Sequence, residues 1–237
     1  MQKQTFISLF ISSFIFLIAS YFSGAFSVLH LLAFLLFPTI AILRVLGKTP
    51  AVAFVLSSFV YVLLFGVGHI STLYLHMGFI FFSLYFLWPQ RKALLKGCGS
   101  IPKRLGYGVA IFLLMLFASF VVNILLHFAG ISDQEQIVTV VSGLPLYLLI
   151  MAFTLGPLSE ELLFRAFLVP RVGVLASTLL FTFTHMAYGS VAELVGAFAL
   201  GIVLAIAYSR LKDPLPCIVA HVLFNLLSVI LILWVYG

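Results

Sequence analysis

The chain has 237 residues, of which 64% are hydrophobic and 8% are charged, and its formal net charge is +6. Soluble domains are about half apolar and about a quarter charged, so this chain has too few polar side chains to cover a surface in water. The composition excludes a soluble globular protein and predicts an integral membrane protein. Nucleic acid is not expected as a partner, because no basic face carries interleaved aromatic side chains.

Long apolar runs divide the sequence into predicted membrane spans. Residues 107–128, for example, would extend about 33 Å as a helix, against a hydrocarbon core of about 30 Å. We therefore predict an all-α fold, a polytopic membrane helix bundle of about eight or nine transmembrane helices. The predicted spans lie near 5–22, 27–43, 51–67, 72–88, 107–128, 143–168, 173–188, 191–209 and 214–236.

The charged residues between these spans predict an orientation in the bilayer. If the spans alternate, the basic residues fall on one side and the acidic segment 131–136 on the other, and the positive-inside rule makes the basic side cytoplasmic. The N-terminal segment is interpreted as a retained first helix with a cytoplasmic N-terminus. The basic residues are Lys3, Arg44, Lys48, Arg91, Lys92, Lys96, Lys103, Arg104, Arg171, Arg210 and Lys212.

A polar connection over residues 89–106 suggests a division into two groups of helices. Residues 1–104 form front transmembrane helices to which no role is assigned, and residues 105–237 form a back group. A charge at the bilayer centre costs about 3 kcal/mol on insertion scales, so residues that persist there have a function or a partner. The candidates all lie in the back group: Glu160, Glu161, Arg165, His185, His221 and Asn225.

Three of these residues are expected at similar depth. Counted along their predicted helices, Glu160, His221 and His185 lie about 12, 10 and 18 Å from the basic side. Three helices would thus bring ionisable groups together, and the shallow depth favours access from the cytoplasmic side.

Spacing along the helix carrying the two glutamates suggests different roles for them. Glu161 and Arg165 stand at i and i+4 with the acid first, the favourable order for an ion pair. Adjacent helical positions point about 100° apart, so we expect that Glu160 and Glu161 cannot both face one partner. Glu160 then remains free to act as a general base on water.

The other polar residues supply the remaining requirements of amide hydrolysis. His221 and Asn225 share one helix face and could donate hydrogen bonds to a developing oxyanion. His185, from a third helix, could orient the water beside Glu160. The predicted site therefore contains a water activator that faces an oxyanion site.

The three motifs together resemble a known family. "EELLFR" fits EExxxR, "FTFTH" fits FxxxH and "HVLFN" fits HxxxN, in this order on successive helices. This pattern is similar to that of the CPBP (Abi) family, which includes type II CAAX prenyl endopeptidases and bacteriocin-processing membrane proteins. The resemblance covers roughly residues 105–237.

The resemblance implies an intramembrane endopeptidase acting on membrane-associated peptides or proteins, either CAAX-type substrates or pheromone and bacteriocin precursors. It implies catalytic roles for Glu160, His185, His221 and Asn225, supported by Glu161 and Arg165. The family has been described both as metal-free and as zinc-dependent. We favour no cofactor, while Glu160, His185 and His221 are the alternative zinc ligands. The short chain resembles bacterial members, which implies the bacterial cytoplasmic membrane.

Other interpretations remain open at this point. Glu161 and Arg165 could form a purely structural ion pair, and the polar residues could belong to a transporter or proton relay. A non-catalytic immunity or binding protein of the same fold is a third possibility. His30, His69, His76 and His127 are interpreted as interfacial or packing residues, and Glu193 as a solvated acid in the first turn of its helix.

Overall fold

The computed structural model describes residues 76, 79–80, 83–84 and 86–236, which lie in one compact unit, Ile70–Gly237. The predicted spans 5–22, 27–43 and 51–67 lie outside the described residues. Within the described part, all regular structure is helical, so the all-α prediction is confirmed.

Eight α-helices follow the 3₁₀ turn Trp88–Gln90 in the described part of the chain. They are α1 (Arg91–Lys96), α2 (Ile101–Phe128), α3 (Glu135–Ser142), α4 (Leu146–Phe153), α5 (Leu155–Val172), α6 (Val174–Thr184), α7 (Val191–Leu211) and α8 (Pro214–Tyr236).

Three of these helices, α2, α7 and α8, are long and apolar enough to cross a membrane. The pair α4 and α5 makes a fourth candidate if the two count as one broken span. Helix α6 is apolar but has only 11 residues, and it continues as the 3₁₀ turn His185–Tyr188. The described residues therefore show three or four spans, and the total of eight or nine stays a prediction.

The predicted span 143–168 is bent rather than straight. Helices α4 and α5 meet at an angle of 43°. Pro157 has no N–H group to bond the carbonyl of Phe153, so the regular hydrogen-bond ladder stops at this point. Thr154, at the junction, donates its hydroxyl to the carbonyl of Ile150 at 2.7 Å. The bend places the motif helix α5 at an angle to the segment before it.

Close helix packing brings the motif-bearing elements together. Helix α8 packs along α2, and α7 packs against α6 and α2. A Cβ atom at Gly108 would lie 2.7 Å from the side chain of Val219, so only glycine permits the observed approach of α2 to α8. A Cβ atom at Gly201 would lie 3.0 Å from the ring of Phe181, so the glycine at this position allows α7 to pack close to α6.

The two ends of the bundle differ in charge, because lysines and arginines of α1 and the start of α2 lie at one end and Asp133 and Glu135 follow the other end of α2. At one end, Arg104 of α2 donates two hydrogen bonds to the buried Asp213, which precedes α8, at 2.7 and 2.8 Å. At the other end, Asp133 accepts hydrogen bonds from Ser190 and from the backbone N–H of Ala192, both at 3.0 Å, and so caps the start of α7. We call these the basic end and the acidic end.

Candidate active site

The glutamate motif lies where α5 changes its helical geometry. Residues Glu161–Leu168 form a π-helical stretch within α5. Such wider turns are rare and occur frequently at functional sites. The stretch begins directly after Glu160. The side chain of Glu161 is fully buried, whereas that of Glu160 is 13% exposed.

Glu161 and Arg165 form the ion pair that their spacing predicts. Arg165 Nε lies 3.2 Å from Glu161 Oε2, and both side chains are buried. The guanidinium group also lies 4.2 Å above the ring centre of Phe181. A buried cation is stabilised both by an opposite charge and by the face of an aromatic ring.

His221 of α8 lies between the two adjacent carboxylates. Its Nδ1 atom is 2.9 Å from Glu161 Oε1, and its Nε2 atom is 3.7 Å from Glu160 Oε2. The expectation that Glu160 and Glu161 cannot face one partner is therefore wrong. An imidazole has nitrogen atoms on two sides of its ring, and α5 departs from ordinary α-helical geometry at this point.

Phe181, the aromatic residue of the FxxxH motif, packs at the centre of the site. Its ring centre lies 4.6 Å from that of His185 and 6.0 Å from that of His221. Its backbone carbonyl also lies 3.0 Å from His185 Nδ1. Because a carbonyl oxygen only accepts, this contact assigns the proton of a neutral His185 to Nδ1 and leaves Nε2 as an acceptor.

His185 and Glu160 are not in direct contact. Among the described residues, the carboxylate within reach of His185 Nε2 is that of Glu193, with its Oε1 atom at 4.0 Å. His185 and His221 both border the same cavity, while Glu160 adjoins that cavity through its contact with His221. The structure thus brings Glu160 and His221 together, while His185 packs against Phe181 and lies near Glu193.

Asn225 lies one turn beyond His221 on α8 and borders the same cavity. Its amide nitrogen donates a hydrogen bond to the carbonyl of Ala152, at the end of α4, at 2.9 Å. A carboxamide has two N–H donors, so the second remains available to another acceptor. The bend between α4 and α5 thereby helps to orient Asn225.

The cavity has a volume of about 440 Å³ and lies between α2, α3, α6, α7 and α8. Most of its lining is apolar, with polar side chains from Ser119, Asn123, Gln134, Glu193 and Ser228 in addition to the motif residues. Gln134 and Glu193 belong to the acidic end of the bundle. The cavity therefore extends from the site toward the acidic end, and not toward the basic end as the predicted depth suggested.

Two further residues lie near the site. His76 is buried, in agreement with the packing alternative, and its Nδ1 lies 2.6 Å from the hydroxyl of Ser159, next to Glu160. Glu193 is in the first turn of α7 as expected, but it lines the cavity and lies near His185. The sequence offers one signal for Glu193, its position at a helix start near a motif, and none for the distant contact of His76.

The described residues contain no group of three His, Cys, Asp or Glu side chains that could hold a metal ion. Of the alternative zinc ligands, His221 lies near Glu160, whereas the carboxylate near His185 is that of Glu193. The zinc alternative stays a prediction.

The fold and the site together define a helical membrane protein with carboxylate and imidazole groups held inside the bundle. Residues 142–227 match the family model of the Rce1-like type II CAAX prenyl endopeptidases. The match includes all three motifs and confirms the resemblance. Searches among curated proteins and among solved structures found no match.

Proposed function

We propose that this protein is an intramembrane endopeptidase that hydrolyses peptide bonds of membrane-associated peptides or proteins. In this proposal Glu160, with His185, activates the attacking water, and His221 with Asn225 stabilises the oxyanion. Glu161 and Arg165 hold His221 in position. No cofactor is required.

The observation that carries the proposal is the contact of His221 with both glutamates. Glu161 Oε1 accepts from His221 Nδ1 at 2.9 Å, which fixes the ring and directs Nε2 toward Glu160 Oε2 at 3.7 Å. Because Nδ1 already carries a proton, Nε2 becomes a donor only when the imidazole holds two protons. A proton that Glu160 takes from water can reach this atom.

The reaction then follows in two balanced steps. Glu160 removes one proton from a water molecule as its oxygen bonds to the substrate carbonyl carbon, and the carbonyl oxygen becomes an oxyanion. Donors on His221 and Asn225 stabilise that charge. The carbon–nitrogen bond breaks as the proton returns to the leaving amine, so that one water and one peptide bond yield a carboxylic acid, which keeps the second proton of the water, and an amine.

The proposal is tested with the purified chain in detergent and a hydrophobic peptide that carries a fluorophore and a quencher. We expect Glu160→Gln to lower the cleavage rate by about 10²- to 10⁴-fold, the range for loss of a general base. His185→Ala, His221→Ala and Asn225→Ala should also lower it. Retained cleavage by Glu160→Gln would refute the catalytic assignment.

Two controls accompany this comparison. Glu135→Gln makes the same chemical change at an exposed acid of α3, and we expect wild-type cleavage from it. Gel filtration and thermal unfolding should give the same profile for Glu160→Gln and wild type. Metal analysis and chelation address zinc separately: full activity in the presence of a chelator supports the metal-free mechanism, and loss that zinc restores overturns it.

The location of the protein and the nature of its substrate are finer parts of the proposal. The apolar helices and the family match support an integral membrane protein with a membrane-associated substrate. We propose the bacterial cytoplasmic membrane, with the basic end and the N-terminus in the cytoplasm. CAAX-type proteins and pheromone or bacteriocin precursors are both candidate substrates.

A proton relay is the second candidate function, and one observation favours it. Glu160 lies near His221, and His185 near Glu193, so that titratable groups follow one another through the membrane interior. Such series of groups also occur in proton-coupled transporters. A pH gradient across liposomes that contain the protein distinguishes the two functions: a relay dissipates the gradient, whereas a protease cleaves the peptide and leaves the gradient intact. A non-catalytic binding protein would do neither.

A further inference from the structure

The cavity beside the site carries one fixed charge. Of the Asp, Glu, Lys and Arg residues in the described part of the chain, Glu193 alone lines it. The remaining lining is mostly apolar, as expected for a site that receives hydrophobic side chains. The carboxylate of Glu193 therefore gives this cavity a negative charge.

The start of α7 holds Glu193 in place. Its backbone N–H donates to the hydroxyl of Ser190 at 3.0 Å, and that hydroxyl in turn donates to Asp133 at 3.0 Å. The side chain of Glu193 is 26% exposed, so it is accessible to a ligand in the cavity.

Glu193 has no basic partner among the described lysines and arginines. The buried ion pairs of Arg104 and Arg165 are formed with Asp213 and Glu161. The group nearest to Glu193 is His185 Nε2, which at 4.0 Å is too distant for a direct hydrogen bond. A cation from outside the chain could therefore pair with this carboxylate.

The same charge pattern extends to the acidic end of the bundle. Gln134, which lines the cavity, directly follows Asp133 in the sequence. The basic residues of α1 and of the start of α2 lie at the opposite end. Like-signed charges around a cleft attract ligands of the opposite sign.

We propose that Glu193 is a specificity-determining residue that selects apolar substrates with a basic side chain close to the scissile bond. The inference rests on the proposed function, because it places that bond beside His185 and His221. The apolar lining receives the neighbouring side chains, and Glu193 pairs with a Lys or Arg of the substrate. An acidic side chain at the same position is repelled.

The test uses a set of quenched hydrophobic peptides that differ at one residue. That residue is Lys, norleucine or Glu, and it is placed in turn at each of the three positions before and the three positions after the cleaved bond. At one of these positions we expect wild type to prefer Lys over norleucine by about 10-fold in kcat/KM, and norleucine over Glu. Glu193→Gln should reduce both preferences to about 2-fold or less, and Glu193→Lys should reverse their order. Glu135→Gln, which removes an acid outside the cavity, should keep the wild-type preference.

Two results would overturn the inference: equal cleavage of all the peptides by wild type, or an unchanged Lys preference in Glu193→Gln. If the Glu193 variants do not cleave at all, binding of the same peptides is measured in Glu160→Gln with and without Glu193→Gln. Loss of the Lys preference in the double variant supports the inference, and its persistence contradicts it. Failure of the proposed function itself is distinguishable, since wild type would then cleave none of the peptides, whereas failure of this inference leaves cleavage intact and removes only the preference for Lys.

Discussion

The imidazole of His221 contacts Glu161 at 2.9 Å and Glu160 at 3.7 Å, through its two different nitrogen atoms. The two carboxylates are adjacent in sequence but differ in surroundings. Glu161 is fully buried and paired with Arg165, whereas Glu160 keeps some exposure. One glutamate is therefore suited to hold the imidazole, and the other to exchange protons with water.

Glu161→Gln should lower both stability and activity. The substitution leaves the buried guanidinium of Arg165 without its counter-charge, and loss of one partner of a buried ion pair costs about 3–5 kcal/mol. It also weakens the acceptor for His221 Nδ1. Thermal unfolding in detergent and peptide cleavage check the two effects, and a variant that is as stable and as active as wild type would contradict the assignment.

The double variant Glu161→Gln with Arg165→Met separates these two effects. Replacing both members of a buried pair removes the uncompensated charge, so we expect it to recover much of the stability that Glu161→Gln loses. Cleavage should stay low, because the ionised acceptor for His221 is still absent. Recovery of activity together with stability would show that Glu161 acts only through the ion pair.

Ser159→Ala tests the contact between α5 and the segment that carries His76. The Ser159 hydroxyl donates to the carbonyl of Gly156 at 2.8 Å, so it accepts from His76 Nδ1 at 2.6 Å. Without that acceptor the buried His76 loses its partner, which costs about 1–3 kcal/mol. Because Ser159 directly precedes Glu160, we also expect slower cleavage.

Ser177→Ala is the matched control for this change. Ser177 is also a buried serine, and it donates to the carbonyl of Phe164 at 2.6 Å, but it has no histidine partner in the described structure. Both variants lose a hydroxyl that bonds to a backbone carbonyl. Equal unfolding midpoints and equal cleavage for the two variants would show that the contact with His76 contributes nothing.

The general architecture could be predicted because it depends on local properties of the sequence. The lengths of the apolar runs predict α2, α7 and α8 to within a few residues at most ends. The start of α2 at Ile101 was missed because its first turns contain lysine and arginine. The bend before α5 was not predicted, although Pro157 gives a signal for a break in the helix. A proline in a long apolar run also occurs within single kinked helices, so this signal does not by itself predict two separate helices.

The candidate site depends more on contacts that are distant in sequence. The motif spacing was sufficient to select Glu161 and Arg165 as a pair, because both lie on one helix. The approach of Glu160 and Glu161 to the same imidazole occurs where a π-helical stretch begins, and an ordinary helical period does not predict such a stretch. The position of Glu193 on a cavity wall follows only from the packing of several helices around that space.

Asp213→Asn should destabilise the basic end of the bundle in a pH-dependent way. Burial would raise the pKa of Asp213, but hydrogen bonds from Arg104 and from the backbone N–H groups of Cys98 and Leu215 outweigh it and hold that pKa below its usual value. Since the pKa is lower in the folded than in the unfolded state, the ionised carboxylate stabilises the fold above the unfolded pKa of about 3.9. This contribution is lost as the pH falls through the lower, folded pKa.

At neutral pH we therefore expect Asp213→Asn to cost about 3–5 kcal/mol, because Arg104 stays buried without its partner. The difference in unfolding midpoint between wild type and the variant should be constant above about pH 5 and should narrow below about pH 4. Thermal unfolding in detergent from neutral pH to below about pH 4 measures this difference, with Glu135→Gln as an exposed control. If the difference in unfolding midpoint does not change as the solution is acidified, the charge of Asp213 does not contribute to stability. Asp213 would then stabilise the fold by its shape, which asparagine shares.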